Sequence, residues 1–252
     1  MSIKKTEAIV LRSIKQGETR KILFLYSRAF GKIKVIAKGA RSAKSRYGGT
    51  LEPLNYISVV YYEKETRDLQ FLSSADLIQS FERVLGDVNK IALAMAVCEL
   101  INKLEMAGES NFLMFKHLLA ALQGIDQSEQ PLHVFRGFQV RLFDLLGFKP
   151  NFDNCLNCGQ QRNSRCYFSL NRGGFICDNC IDQTATGMIM SAQCVMMLRK
   201  LQSTALTHLG TLAESDSVWH EVDTFLYRFL RYHTEGLGEL NSLRFLQKLG
   251  MQ

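Results

Sequence analysis

The chain has 252 residues, a length that accommodates one large domain or two modest ones, each with its own core. Apolar residues make up 46% and charged residues 22%, with only three prolines, which excludes disordered and collagen-like chains. No apolar run is long enough to span a bilayer and the start of the chain lacks a signal-peptide core, so we expect a cytoplasmic protein with no membrane partner.

The net charge of +7 is concentrated in the first part of the chain. Residues 1–50 contain thirteen lysines and arginines but only two glutamates, which leaves −4 for the remainder. An asymmetry of this size favours a polyanionic partner for the first segment. Because that segment shows no basic amphipathic helix, nucleic acid is a better candidate than a membrane surface. A basic surface that serves only solubility is the alternative.

The first eighty residues show short apolar runs separated by glycine turns. In one of them Ile33, Val35 and Ala37 alternate with Lys32 and Lys34, which is the period of a strand. Five such strands predict a five-stranded OB-fold β-barrel over residues 1–80, although a sandwich or an SH3-like barrel fits the same pattern. The predicted strands are 6–14, 21–27, 32–38, 56–63 and 68–73.

A basic loop follows the third predicted strand. Residues 37–54 contain several cations among Gly, Ala and Ser, with no acidic residue before Glu52. Long cationic side chains on a backbone of small residues suit a phosphate backbone of variable shape, whereas a merely solvated loop is the alternative. The predicted DNA-binding residues, from this loop and the strands beside it, are Arg20, Lys21, Lys32, Lys34, Lys38, Arg41, Lys44 and Arg46.

Aromatic residues of the predicted barrel can stack on bases, as they do in OB-folds that bind single strands. Most of them are expected to serve packing, with one or two at most in contact with a base. The candidates are Phe30, Tyr47, Tyr56, Tyr61 and Tyr62.

From residue 81 the apolar period becomes helical, with stripes at spacings of three and four residues. Ser191 and Ser217 precede two of these stripes and are predicted to cap helices. The chain is therefore predicted to be an α+β protein, with the barrel followed by a helical domain over residues 81–252.

Four cysteines stand in two pairs, each with two residues between its members. Each pair can point two thiolates at one ion, and the residues between the pairs suit a β-hairpin turning at Gly173 and Gly174. This spacing predicts one structural zinc ion per chain inside an insertion at about residues 150–186, while iron or an unmetallated redox pair stays open. The predicted ligands are Cys155, Cys158, Cys177 and Cys180.

Motifs of several enzyme classes are missing from the sequence. It contains no phosphate-binding loop of the G-x-x-x-x-G-K-[ST] type, no H-E-x-x-H and no zinc-deaminase signature. A shell of four cysteines also leaves no open coordination position for a substrate. We therefore predict a protein without catalytic residues.

Several segments together resemble the bacterial RecO family. They begin with EAIVLRSIKQGET, GKIKVIAKGARSAKS and LEPLN, continue with FQVRLFDLLGFKPNFDNCLNCG, and end with FLRYHTEGLGELNSLRFLQKL. The resemblance extends over nearly the whole chain. It implies an N-terminal OB-fold, a helical domain and, as in many members, a zinc site with four cysteines.

The resemblance also implies a function in DNA repair and homologous recombination. Members of the family bind single- and double-stranded DNA, anneal complementary strands and act with RecR to load RecA onto DNA coated with single-strand-binding protein. They need no nucleotide hydrolysis of their own. A zinc-ribbon transcription factor or RNA-binding module is the alternative that the residues leave open, and an uncharacterised zinc enzyme is a third.

The resemblance further implies a site for the acidic tail of single-strand-binding protein, which ends in an apolar residue. Such a site needs an apolar notch beside a cation. In the predicted helix from Leu132 to Gly147 this notch is assigned to Arg136 or Arg141 beside Phe138 and Leu142. The same stripe is also the pattern of a helix packed in a core.

Overall fold

The structure is a computed structural model and describes residues 2–104, 109–160, 165–181, 186–234 and 237–248. The chain forms two compact units: unit 1 comprises residues 1–127 and 238–252, and unit 2 comprises residues 128–237. Unit 1 thus contains the barrel together with helices. The predicted domain boundary at residue 80 is based on the change of the apolar period from strand to helix, and it stays a prediction. Within the described ranges no helix is both long and apolar enough to cross a lipid bilayer.

The secondary structure of the described residues is α+β, as predicted. The strands are β1 Ser2–Gln16, β2 Arg20–Ser27, β3 Gly31–Ala37, β4 Tyr56–Glu63, β5 Leu69–Gln79, β6 Arg165–Ser169, β7 Gly174–Ile176 and β8 Gly187–Ser191. The α-helices are α1 Glu82–Leu85, α2 Val88–Leu104, α3 Phe112–Gln127, α4 Pro131–Leu145, α5 Ala192–Ser203, α6 Asp216–His233 and α7 Asn241–Lys248, and Leu206–Thr211 is a 3₁₀ helix.

The first five strands close into a barrel in the order β1-β2-β3-β5-β4. All neighbouring pairs are antiparallel except β3 and β5, which are parallel. The predicted five-stranded barrel is therefore confirmed, and its closure leaves no unpaired edge. The barrel core is built from alternate residues of each strand, including Val10, Leu23, Leu25, Val35 and Val59.

Two strands are longer than the sequence pattern predicts, and both extensions pair with β4. The start of β1 reaches Ser2, which lies opposite Glu63, while the end of β5 reaches Gln79 opposite Tyr56. The additional residues, 2–5 of β1 and 74–79 of β5, do not show the regular alternation of apolar and polar side chains that predicts a strand. Their strand conformation therefore comes from backbone hydrogen bonds to β4, which a pattern of side chains does not reveal.

Helix α7 is held on α2 within unit 1 by one carboxylate. Glu99 of α2 accepts hydrogen bonds from the backbone amides of Asn241 and Ser242 at 3.1 and 3.2 Å, and from the Ser242 hydroxyl at 2.9 Å. These amides belong to the first turn of α7, where N–H groups have no partner within the helix. Glu99 thus accepts hydrogen bonds from the free amides at the start of α7, although it lies 142 positions before Asn241 in the chain.

Unit 2 combines a three-stranded sheet, ordered β7-β6-β8, with α4, α5, α6 and the 3₁₀ helix. Four phenylalanines pack together in its core, with Phe168 at their centre. The ring centroid of Phe168 lies 5.0 to 5.8 Å from those of Phe152, Phe225 and Phe229. These phenylalanines connect the hairpin of β6 and β7 with the buried face of α6.

The two predicted helix caps have different outcomes. The Ser191 hydroxyl accepts a hydrogen bond from the Cys194 amide at 3.1 Å and caps α5, as predicted. The prediction for Ser217 is wrong, because α6 begins at Asp216 and Ser215 occupies the cap position. The run Ser-Asp-Ser offers several capping residues, and the apolar stripe does not distinguish between them.

Gly31 occupies a turn that excludes a side chain. Its φ of +61° is left-handed, and a methyl group on its Cα would overlap the backbone carbonyl of Glu109. Gly31→Ala is therefore expected to lower the free energy of unfolding by a few kcal/mol. Gly39 has a φ of +71° with open space around its Cα, so Gly39→Ala, the matched control, should lose only about 1 kcal/mol. Urea unfolding of both variants measures this difference, and equal losses would contradict it.

Candidate nucleic-acid interface and metal centre

One end of the barrel brings cations from two segments together. The Arg41 amide donates to the Thr19 carbonyl at 3.1 Å, and the Arg41 guanidinium donates to the Gly17 carbonyl at 2.8 Å. The loop after β3 therefore lies against the turn between β1 and β2. We call this part of unit 1 the cationic end and define it by Arg20, Lys38, Arg41, Lys44 and Arg46.

The cationic end carries charge that acidic groups do not balance. None of its five residues forms an ion pair with a carboxylate in the described part of the chain. Arg46 instead donates to the Ser73 carbonyl at 2.5 Å and to the Tyr47 hydroxyl at 2.8 Å. Because carbonyl and hydroxyl partners carry no net charge, these bonds do not neutralise the charge of Arg46.

The other three cations predicted to bind DNA have closer partners. Lys21 pairs with Glu52 at 2.6 Å, and Lys34 pairs with Asp68 at 2.6 Å. The Lys32 ammonium donates to the Asn102 carbonyl at 2.7 Å. A phosphate would have to compete with these partners. The eight predicted residues therefore fall into two groups: the five of the cationic end, which have no carboxylate partner among the described residues, and these three lysines, which already bind a carboxylate or a carbonyl.

The basic loop is more ordered than a chain of small residues suggests. Successive turns are closed by backbone hydrogen bonds from Ser42 to Gly39, Ser45 to Ser42 and Thr50 to Tyr47, at 2.9 to 3.2 Å. Buried side chains at Ala40, Tyr47, Leu51 and Leu54 anchor the loop on the barrel core. Its cations are therefore presented from a fixed backbone, which lowers the entropy lost on binding.

The aromatic candidates serve packing in most cases, as predicted. Tyr47 and Tyr61 are buried, and Phe30 packs edge-on against Tyr61 with ring centroids 6.3 Å apart. The Tyr56 hydroxyl donates to Glu7 at 2.6 Å, a bond that lowers the pKa of that carboxyl. Of the five candidates only Tyr62 is exposed, with 38% of its surface accessible.

Sequence reasoning missed two aromatic residues on the outer face of the barrel. The Arg12 guanidinium lies 5.8 Å from the ring centroid of Phe24, and Lys38 and Arg67 lie 4.9 and 5.4 Å from that of Phe71. Both rings are partly exposed. The signal was available, because each ring adjoins an inward-facing leucine and a strand points successive side chains to opposite faces.

The four predicted cysteine ligands converge. Their sulfur atoms all lie within 4.8 Å of one another, and the sulfurs of Cys158 and Cys177 are 3.7 Å apart. Zn–S bonds of about 2.3 Å in a tetrahedron place sulfurs about 3.8 Å apart. The donor set and its spacing therefore fit a metal ion, and this group can hold one.

Local backbone bonds shape the two knuckles that carry the cysteines. The Gly159 amide donates to the Cys155 carbonyl at 2.9 Å, with Gly159 at a φ of +71°, and the Cys180 amide donates to the Cys177 carbonyl at 2.9 Å. The predicted hairpin is confirmed, since β6 pairs with β7 and places Phe168 opposite Phe175. The hairpin thus brings two distant knuckles to one point.

The protonation of the cluster favours a cation. Burial raises the pKa of Cys155, but hydrogen bonds from backbone amides have the larger combined effect and lower this pKa to about 6. The amides of Cys177 and Asn157 are among these donors, each 3.4 Å from the Cys155 sulfur. Hydrogen bonding to Cys177, burial and the neighbouring sulfurs raise the pKa of Cys180 to about 12. One thiolate therefore forms readily, whereas four adjacent thiolates need a bound cation to balance their charge.

The four residues predicted to bind an acidic tail belong to α4 in unit 2. Phe138 and Leu142 are fully buried and offer no apolar surface in this conformation. The Arg136 guanidinium forms two hydrogen bonds with Asp223, at 2.6 and 2.7 Å, and lies 4.5 Å from the centroid of a Trp219 ring. The α4 stripe is thus largely core, so the predicted notch lacks its apolar half and stays a prediction.

Arg141 differs from Arg136 in its surroundings. Its Nε donates to the Leu201 carbonyl at 3.2 Å, while the buried Nη2 has no hydrogen-bond partner among the described residues. Burial lowers the pKa of this guanidinium. An unused donor on a half-buried cation can bind an anionic group, but the surrounding side chains must first move, because Nη2 itself is buried.

Two family models match the chain: "Recombination protein O N terminal" over residues 1–81 and "Recombination protein O C terminal" over residues 85–244. The chain is 32% identical over 249 residues to the DNA repair protein RecO of Shouchella clausii, covering 98% of this chain and 95% of that protein. It is 31% identical over 232 residues to the DNA repair protein RecO of Dehalococcoides mccartyi, covering 92% and 90%.

Proposed function

The chain belongs to the RecO family of DNA repair and recombination proteins, and from this premise we propose that it binds single- and double-stranded DNA through the barrel and anneals complementary strands. With RecR, it would help to load RecA onto DNA coated with single-strand-binding protein. The proposal includes a cytoplasmic, nucleoid-associated location, which follows from the substrate, and it includes no catalytic step.

The observation that carries this proposal is the cationic end, where the loop after β3 lies against the turn between β1 and β2 and none of the five cations has a carboxylate partner among the described residues. DNA-binding affinity arises largely from phosphate contacts that release condensed counterions. Arg20, Lys38, Arg41, Lys44 and Arg46 are proposed as the main phosphate contacts. Lys21, Lys32 and Lys34 are proposed as secondary contacts, because a phosphate must displace their present partners.

The proposed mechanism of annealing is electrostatic. Two complementary strands repel each other because both carry a negative charge at every phosphate. Cations that neutralise phosphates of a bound strand lower this repulsion and raise the rate at which a second strand arrives. The fixed backbone of the basic loop keeps these cations in place, and the proposed mechanism includes no nucleotide hydrolysis.

The cysteine cluster is proposed to hold one zinc ion through Cys155, Cys158, Cys177 and Cys180. Zinc prefers four sulfur ligands in a tetrahedron, which the observed sulfur spacing permits. When bound, the ion would supply a structural cross-link between the knuckles. A closed shell of protein ligands has no position for a substrate, so this site would support the fold of the hairpin.

The acidic tail of single-strand-binding protein is proposed to bind unit 2 through Arg141. This residue is a better candidate than Arg136, whose charge Asp223 already balances. Phe138 and Leu142 could reach the tail only if α4 moved, since both are buried.

Arg141→Gln is expected to weaken binding of a peptide that carries this tail by roughly tenfold, while binding of naked DNA stays unchanged. The reason is that the substitution removes a partly desolvated charge and keeps a side chain of similar length. Lys200→Gln, which removes an exposed cation of the same unit, is the matched control and should have little effect. Fluorescence anisotropy of a labelled peptide measures both. Equal affinities of the Arg141 variant and the parent protein would place the tail elsewhere.

The experiment that tests the proposed function is annealing of complementary oligonucleotides coated with single-strand-binding protein, with and without this protein. Pairs of unrelated sequence should anneal equally fast, since phosphate contacts carry no sequence information. Failure to accelerate annealing of either coated or naked strands would overturn the proposal.

A further inference from the structure

Two aromatic side chains lie next to each other on the outer face of the barrel. Tyr62 of β4 is directly opposite Phe71 of β5 in the register of the two strands. Their sequence neighbours Tyr61 and Leu72 are likewise opposite each other and point into the core. Because side chains alternate along a strand, Tyr62 and Phe71 both face outward, with side chains about 5 Å apart at their Cβ atoms.

Two cations stand beside this aromatic pair. Lys38, the residue that follows β3, lies 4.9 Å from the ring centroid of Phe71, and Arg67, from the turn between β4 and β5, lies 5.4 Å from it. Neither cation forms an ion pair with a carboxylate in the described ranges. The site therefore combines rings and unbalanced positive charge, the two components with which proteins hold single-stranded nucleic acid.

The turn that carries Arg67 is held in place by its own side-chain bonds. The Gln70 side chain accepts a hydrogen bond from the Lys64 amide at 2.9 Å and donates to the Lys64 carbonyl at 3.2 Å. The Arg67 amide closes the same turn on the Lys64 carbonyl at 2.9 Å. Arg67 thus starts from a defined backbone position beside Phe71, and only its exposed side chain has to move when a ligand binds.

We propose that Phe71 and Tyr62 form a stacking platform for unpaired nucleobases, and that this platform makes the barrel prefer single strands to duplexes. The proposal rests on the proposed DNA-binding function and assigns the strand preference to two residues. Bases in a duplex are already stacked on each other, so their faces are not available to a protein ring. An unpaired base can lie on Phe71 or Tyr62 while Lys38 and Arg67 turn from the ring to the adjoining phosphates.

The exchange of partners is favourable for both components. A cation over a ring at an exposed position is held weakly, whereas the same cation at a phosphate releases a counterion. The ring that it leaves gains a base, and base-aromatic stacking depends little on which base is present. The platform should therefore bind strands of any sequence, as annealing requires.

The test compares three ligands of equal length: a labelled oligonucleotide of thymidines, the same backbone with abasic sites, and a hairpin duplex. For the full chain with Phe71→Leu and Tyr62→Leu together, affinity for the thymidine strand should fall roughly tenfold or more. Affinity for the abasic strand and for the duplex should change less than twofold. Phe71→Trp and Tyr62→Phe, which keep a ring, should bind as the parent protein does.

Controls separate loss of stacking from loss of fold. Tyr62→Leu alone changes an exposed residue and should retain the parent melting temperature with part of the affinity loss. Tyr227→Leu removes an exposed ring of unit 2, 5.6 Å from Arg231, and should not change the affinity for any of the three ligands.

Two results would overturn the platform: equal losses for thymidine, abasic and duplex ligands, or no loss for any ligand in a folded double variant. Failure of the proposed function itself is a different result, since the parent protein would then bind none of the three ligands. Salt-dependent binding by the parent protein, with no effect of the ring substitutions, would reject the platform alone.

Discussion

Alanine at Lys38, Arg41, Lys44 and Arg46 together is expected to weaken single-stranded DNA binding by roughly 100-fold at 0.1 M salt. Each phosphate contact on a single strand contributes about 0.7 to the slope of log affinity against log salt concentration, so four contacts contribute up to about 3. These cations belong to the cationic end and have no carboxylate partners among the described residues. Annealing should slow with binding, because the same charges attract the second strand.

A control variant with the same loss of formal charge makes this prediction specific. Lys4 and Arg28 of the barrel and Lys149 and Arg199 of unit 2 are not proposed as DNA contacts, and each pairs with a carboxylate at 3.0 to 3.5 Å. Their joint replacement by alanine should change the slope by less than about 1, since their charge is already neutralised. Titrations of a fluorescent oligonucleotide at several salt concentrations compare the two. Equal slopes in both quadruple variants would show that net charge, and not the cationic end, determines affinity.

The fold should tolerate the loss of the four cations. Arg41 and Arg46 each lose hydrogen bonds to carbonyl groups at the surface, which is a cost of about 1 kcal/mol for each. The buried residues that anchor the loop, among them Tyr47 and Leu51, are unchanged. Thermal melting followed by circular dichroism checks that the binding defect is not a folding defect.

Removal of the proposed zinc ion is expected to unfold the hairpin of unit 2 and leave unit 1 folded. Structural zinc contributes on the order of 10 kcal/mol to the folding of small zinc peptides, which far exceeds what a short hairpin gains from its own strand pairing. The hairpin supplies Phe168 to the phenylalanine core of unit 2, so Cys177→Ser should also lower the melting temperature of that unit. The barrel has a separate core and should retain its structure.

Metal analysis and limited proteolysis test this second prediction. The parent protein should contain one zinc per chain, and a strong chelator should open cleavage sites between Cys155 and Cys180 first. Cys194→Ala is the matched control, because Cys194 is buried in the same unit but lies outside the cluster. That variant should keep its zinc. A parent protein without zinc, or one that unfolds completely on chelation, would contradict the expectation.

The barrel and the cysteine cluster were predictable because their signals are local. Alternation of Ile33, Val35 and Ala37 with lysines determines which face of β3 is buried, and two residues between paired cysteines determine a knuckle. The ends of β1 and β5 were not predictable, since their pairing with β4 depends on backbone bonds between distant segments.

The charge pattern predicted the interface only in part. Sequence identifies thirteen cations in the first fifty residues, but it does not reveal which of them a carboxylate neutralises. Lys34 and Asp68 are 34 positions apart, and only the parallel pairing of β3 with β5 brings them together. Alternation next to the buried Leu72 was enough to place Phe71 on the outer face, but the approach of Lys38 and Arg67 to its ring depends on the fold, because these cations come from different strand ends.

The attachment of α7 to α2 has a consequence for synthesis on the ribosome. Glu99 is translated before unit 2, whereas Asn241 and Ser242 are translated after all of it. At roughly 5–20 residues per second, unit 2 occupies on the order of 10 s of translation, and during that time the amide-binding face of Glu99 has no partner from α7. Unit 2 can therefore complete its own fold before unit 1 does, because Glu99 can bind the start of α7 only after the intervening sequence has left the ribosome.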